Sequence, residues 1–189
     1  MSYRFVSAMI FALGLSSFPA FGQLFSVGVK AGVPINDAFV TSGQFDPGVL
    51  GSTTNRYIIG PQVELRLPFH LGVEADALYR HFVFAGSGSS QWEFPILLKY
   101  HFKGIPLLHP FVDAGPTFNH VSDIQLFTRN QSSAGIAIGA GLDFHALIFH
   151  LTPEFRYTHW GSQNYYLPTS SASLASNQNQ AEFLVGFTF

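Results

Sequence analysis

The chain has 189 residues, no cysteine, 11 % charged residues and a formal net charge of -2. The missing cysteine excludes disulfides, thiol catalysis, Cys-ligated zinc and a lipid anchor on cysteine, and the small net charge gives no argument for nucleic acid as a partner. Hydrophobic residues reach 47 % with 21 Phe, yet beyond the N-terminus no 18-residue apolar run is present, which excludes a bundle of membrane-spanning helices.

In chain order, the first element reads as a secretory signal over residues 1-22. Arg4 supplies the positive start, Phe5 to Leu15 the apolar stretch, and Pro19 ends the helix. Ala20 and Gly22 are the small residues of a cleavage site, with the mature domain over 23-189. From Leu24 onward the pattern is period-2 alternation. It predicts eight strands over 24-33, 57-67, 71-82, 92-102, 110-119, 134-144, 148-159 and 181-189. Most have the roughly 9–11 residues that a tilted strand needs to cross a bilayer.

The connections alternate in length. Residues 34-56, 83-91, 120-133 and 160-180 form long polar segments, whereas 68-70, 103-109 and 145-147 are short. Long loops at one rim and short turns at the other are expected of a bacterial membrane barrel.

Each strand has one apolar parity, exemplified by Val27, Leu65, Phe94, Leu98, Ile138 and Phe155, that carries no Asp, Glu, Lys or Arg. The other parity holds Lys30, Glu64, Arg66, Glu74, Asp76, Arg80, Glu93, Lys99, Asp113, Asp143, Glu154, Arg156 and Glu182. A charge facing lipid at mid-bilayer costs about 2–4 kcal/mol, which gives a cause for this separation. Aromatic residues gather at strand ends in two expected girdles. Tyr57, Tyr79, Trp92, Phe118, Tyr157 and Trp160 mark the long-loop rim; Phe25, Tyr100, Phe102, Phe144, Phe149, Phe187 and Phe189 mark the other. Pro61, Pro95, Pro116 and Pro153 fall inside predicted strands, where each removes a ladder donor. Bulges or strand boundaries are expected near them. A soluble sandwich or ligand barrel would share the periodicity with its faces reversed.

The last nine residues, 181-AEFLVGFTF-189, place Phe183, Val185, Phe187 and Phe189 at alternate positions. This resembles the C-terminal assembly signal of bacterial outer-membrane proteins. The segment 92-WEFPILLKYHF-102, through Glu93, Pro95, Lys99 and Tyr100, is similar to the fourth strand of the porin-like and OmpA-like eight-stranded barrel families. The segments 135-GIAIGAGLDF-144 and 154-EFRYTHWG-161 look like later strands of the same group. The resemblance implies an all-β, eight-stranded, antiparallel up-and-down transmembrane barrel. It would sit in the outer membrane of a Gram-negative bacterium, contact outer-membrane lipid as a monomer, and be recognised by the barrel assembly machinery through its last strand.

The sequence reading favours a non-catalytic structural or surface role, with the inward charges paired in a narrow lumen. A narrow pore lined by the same residues is the alternative. His159, Ser162 and Glu182 superficially resemble the Ser-His-acid set of outer-membrane lipid A deacylases. They depart from it, because His159 and Ser162 stand three apart rather than two and the following Asn-Ala is missing. No catalytic site, cofactor or metal is therefore expected. The histidines, with His70, His109 and His145 in predicted short turns, show no zinc-ligand spacing. Gly135, Gly139 and Gly141 lack a strand–turn–helix context for a dinucleotide and are expected to make room for inward side chains. The stretch 169-TSSASLASNQNQ-180 reads as a low-complexity outer loop.

Overall fold

Side chains alternate across a strand, so a strand with one apolar and one charged face separates two environments. The computed structural model describes residues 24–36, 39–43, 53–84, 87–105, 107–122, 130–146, 149–168 and 172–189. The expected signal peptide and the rest of the loops lie outside the described residues.

Among the described residues twelve strands follow in order: β1 (Phe25–Pro34), β2 (Phe39–Gly43), β3 (Thr53–Arg66), β4 (Leu71–Asp76), β5 (Leu78–Phe84), β6 (Ser87–His101), β7 (Leu108–Val121), β8 (Ser132–Ala146), β9 (Phe149–Trp160), β10 (Tyr166–Pro168), β11 (Ala172–Ser176) and β12 (Asn179–Thr188). With β4 and β5 as two halves of one stave, β1, β3, β4/β5, β6, β7, β8, β9 and β12 pair antiparallel in chain order. Strand β1 pairs with both β12 and β3, which closes the sheet into an eight-stave barrel. The fold is the all-β barrel that the alternation and the family resemblance imply. The strands β2, β10 and β11 were not expected. They form a separate sheet of order β10-β11-β2 from the first and last long loops.

The staves exceed their predicted lengths on the long-loop side. The segment 83-91 is mostly strand, since β5 and β6 stay paired to Phe84↔Ser87. At the other rim, Phe69 (φ 65°) and His70 (φ 64°) both occupy the left-handed region between β3 and β4. Non-glycine side chains rarely adopt positive φ, a backbone conformation that Gly and Asn tolerate best.

The prolines mark where the ladders open. β3 pairs with β4 as far as Gln62↔Asp76 and with β5 from Ile59↔Tyr79. β6 pairs with β4 as far as Ala75↔Ile96 and with β5 from Leu78↔Glu93. Ala77 thus lies between Pro61 on one side and the Phe94–Pro95 peptide on the other, and donates its N–H to the Pro61 carbonyl at 3.0 Å. The shortage of donors splits one stave into two without changing its register. Pro116 sits in a similar gap between Pro95↔Thr117 and Leu98↔Ala114, and Pro153 between Gly141↔Glu154 and Phe144↔Leu151. The register shift occurs elsewhere, between Thr54 and Ile58.

The exterior is apolar. Leu65, Phe94, Leu98, Ile138 and Phe155 are exposed at 43, 42, 55, 53 and 61 %. Along β6 the exposed positions run from Trp92 to Phe102, ten steps of ~3.4 Å that span roughly 24 Å at a tilt of ~45°, close to the apolar band of a membrane barrel. Tyr79 packs at a tilt against Trp92 (5.2 Å between ring centroids) toward one rim, and Tyr100 edge-to-face against Phe102 (5.1 Å) toward the other. Trp160 corrects the girdle assignment. It is 1 % exposed, because it shares the inward parity of Arg156 and Thr158 on β9.

Candidate functional site

The inward parity of all eight staves converges on the lumen, where a charged group is out of contact with bulk water and needs a partner. Lys30, Glu64, Glu74, Asp76, Arg80, Glu93, Lys99, Asp113, Asp143, Glu154, Arg156 and Glu182 are buried there, and Arg66 is half-buried near the short turns.

Glu74 on β4 is the hub. It pairs with Lys30 from β1 and Lys99 from β6, and accepts a hydrogen bond from Arg156 Nη2 of β9 at 3.1 Å. Arg156 also donates through Nη1 to Asp76 Oδ2 (2.9 Å) and through Nε to Glu154 Oε1 (2.6 Å). Lys30 Nζ reaches Glu154 Oε2 at 2.8 Å. Lys99 Nζ lies 3.6 Å from Glu64 Oε2 and 4.2 Å from the centre of the Phe111 ring. A second pair, Arg80 of β5 with Glu182 of β12, stands toward the long-loop rim. There Glu93 accepts a hydrogen bond from Thr117 at 3.2 Å.

Topology gives these contacts their meaning. Around the barrel, β9 and the β4/β5 stave are four steps apart in either direction. Arg156 therefore bridges diametrically opposed walls when it reaches Glu74 and Asp76. Small residues on the inward face of β8 make room for neighbouring inward side chains. A side chain at Gly139 would collide with the Asp113 and Glu154 carboxylates, and one at Gly141 with the Phe111 ring. Ile58, Leu78 and Leu184 form an apolar cluster inside the same lumen. The sequence reading emphasised charge and missed these inward apolar groups, although their parity was visible.

The residues considered for catalysis are not assembled. His159 is exposed on the outer face and lies 2.8 Å from Asn179 Oδ1. Ser162 donates its hydroxyl to Ser133 Oγ at 3.0 Å, and Glu182 is inside the barrel with Arg80.

Toward the short turns, strand register unites residues that sequence spacing kept apart. Asp143 and His145 share the inward face of β8, and His145 is the register partner of His150 on β9. Ligand atoms of Asp143, His145 and His150 all lie within 4.8 Å of one another. The Asp-x-His spacing followed by a His across the hairpin was the available signal. A search for helical or finger-type zinc spacing overlooks it.

The terminal aromatics line the outer face of β12. Phe183 packs on Phe155 (5.0 Å) and Phe187 on Phe149 (5.2 Å). Phe189 and Val27 exchange backbone hydrogen bonds of 3.1 and 3.4 Å at the seam where the first and last staves meet.

No protein-family model and no curated protein matches the sequence. Solved structures do match the fold. The outer membrane protein OprG from Pseudomonas aeruginosa is similar at 16 % identity and a TM-score of 0.59, covering 87 % of this chain and 93 % of that one. Neisserial surface protein A (NspA) is similar at 17 % identity and a TM-score of 0.60, covering 87 % of this chain and 95 % of that one. The chain has the fold of these eight-stranded outer-membrane β-barrels.

Proposed function

We propose that this chain is a non-catalytic integral protein of the bacterial outer membrane, with a sealed lumen and a structural or surface-presenting role. The carrying observation is the Arg156 guanidinium, which bridges opposite walls to Glu74 and Asp76. An ion path would have to pass side chains already joined across the full diameter. An interior of eight staves is just wide enough for side chains to fill. The separate partners of His159, Ser162 and Glu182 support the absence of hydrolysis, because a serine must meet its base to be activated.

The surface completes the reading. Apolar side chains around the belt suit contact with outer-membrane lipid, and the sheet closes within one chain, as a monomer requires. Phe183, Val185, Phe187 and Phe189 suit recognition by the assembly machinery. An edge strand with alternating side chains can be captured by strand addition. In the closed barrel β12 is paired on both sides, so that capture precedes closure. The long-loop rim, with its β10-β11-β2 sheet, is the face offered to the exterior.

Planar-bilayer recording tests the central point. The purified barrel should give no steady conductance, and a stable open channel from the unaltered protein would overturn the sealed reading.

A further inference from the structure

We propose that the short-turn mouth of the barrel is a binding site for a divalent transition-metal ion of the zinc type, held by Asp143, His145 and His150. Imidazole and carboxylate together suit Zn²⁺ and its neighbours Ni²⁺ and Cu²⁺. His145 Nε2 lies 3.2 Å from Asp143 Oδ2. Two ligands on one tetrahedral zinc are about 3.4 Å apart when each bond is ~2.1 Å. The spacing already matches a bridged pair.

Three further observations point to a ligand. Asp143 is 1 % exposed, yet its Oδ1 accepts no hydrogen bond, and His145 Nε2 makes none despite its nearness to the carboxylate. The other ring nitrogen, His145 Nδ1, is 3.2 Å from His109 Nδ1. With His145 Nδ1–H donating to His109 Nδ1, Nε2 keeps its lone pair for a metal, and His109 orients the ring as a supporting partner does in known sites. The cluster also borders a cavity of about 190 Å³ that Arg66, His70 and His101 help to line, which gives an ion a route in.

The charges facing the cluster define how it works. His101 Nε2 is 3.7 Å from Asp143 Oδ2 and 3.9 Å from Glu64 Oε1. Arg66 Nη2 is 2.8 Å from His150 Nδ1 and 3.5 Å from Asp143 Oδ2. Arg66 thus occupies the lone pair of one ligand and the charge of another. A neutral imidazole cannot serve Arg66 at one nitrogen and a metal at the other, since one nitrogen must carry the proton. Metal and Arg66 are therefore alternatives, and the half-buried Arg66 swings out when the ion enters. The bound ion ties β8 to β9 across their hairpin.

The test uses the untagged barrel purified in detergent. Zn²⁺ titration is followed by calorimetry, and Co²⁺ titration by visible absorption. We expect one ion per chain and a tetrahedral-type Co²⁺ spectrum. His145→Ala and His150→Ala should each weaken binding at least ten-fold, and His120→Ala, at the opposite rim, should leave it unchanged. Arg66→Gln should tighten binding several-fold, an effect no adventitious surface site would give. Heat-modifiable gel mobility establishes that each variant is folded, and Arg66→Gln keeps the test decisive if a histidine variant does not fold. Absence of binding at about 100 μM Zn²⁺ (a Kd weaker than ~5.5 kcal/mol of binding), equal affinity in the His145→Ala/His150→Ala pair, or weaker binding in Arg66→Gln would overturn the proposal.

Discussion

Replacing Arg156 by Met probes the lumen where it is most connected. The substitution keeps much of the side-chain volume and removes donors to Glu154, Asp76 and Glu74 at 2.6, 2.9 and 3.1 Å. Lys30 and Lys99 still face Glu74, and Lys30 still faces Glu154. Among the described residues, Asp76 keeps only the Lys30 ion pair, at 3.4 Å. Breaking a buried ion pair by removing one partner costs about 3–5 kcal/mol, because the other charge stays buried without compensation. We expect a loss in that range for Arg156→Met. Adding Asp76→Asn should recover about 1–3 kcal/mol by removing a buried charge that is left short of partners. Arg66→Met is the comparison, since its side chain is 29 % exposed, so water reaches its pairs with Glu64 and Asp143 and the loss should be smaller. Urea titration of folding in lipid vesicles, read by the gel mobility of folded and unfolded forms, measures all three. An Arg156→Met barrel no less stable than Arg66→Met would refute the reasoning.

Two other substitutions test local features by the same titration. Gly139→Val places a side chain against the Asp113 and Glu154 carboxylates and should cost about 1–3 kcal/mol by overpacking; a neutral result would mean the lumen has slack. Phe69→Asn with His70→Gly gives the hairpin the residues that its positive φ values favour, and should stabilise the barrel by about 1 kcal/mol or more through relief of backbone strain. Destabilisation by that pair would show that exposed Phe69 anchors the turn more than the strain costs.

The staves were legible because a membrane barrel imposes one rule at every position: a residue faces hydrocarbon or lumen. Leu98 and Lys99 are neighbours in sequence and differ from 55 % to buried at 1 % exposure. The four in-strand prolines were legible as disturbances, but whether each made a bulge or a gap depended on which neighbour lost its donor. The loop sheet was not legible, since β2 and β11 pair residues more than a hundred positions apart and polar loop sequence carries no periodicity to announce it. The partners inside the lumen were equally hidden. Alternation tells that Arg156 points inward, whereas its reach to Glu74 depends on the stave order that sets β9 opposite β4. The Asp143–His145–His150 cluster needed the hairpin register between β8 and β9.

The direction of the two faces can be measured with single spin labels, which the absence of native cysteine makes straightforward. Cysteines introduced at Leu98, Ile138 and Phe155 would carry nitroxides in the barrel reconstituted into bilayers, and collision with oxygen would be compared with collision with a water-soluble nickel chelate. Oxygen dissolves in hydrocarbon and the chelate does not, so the account predicts high oxygen and low nickel accessibility at all three positions. Nickel accessibility equal to that of a loop label, or labels shielded from both reagents, would contradict it.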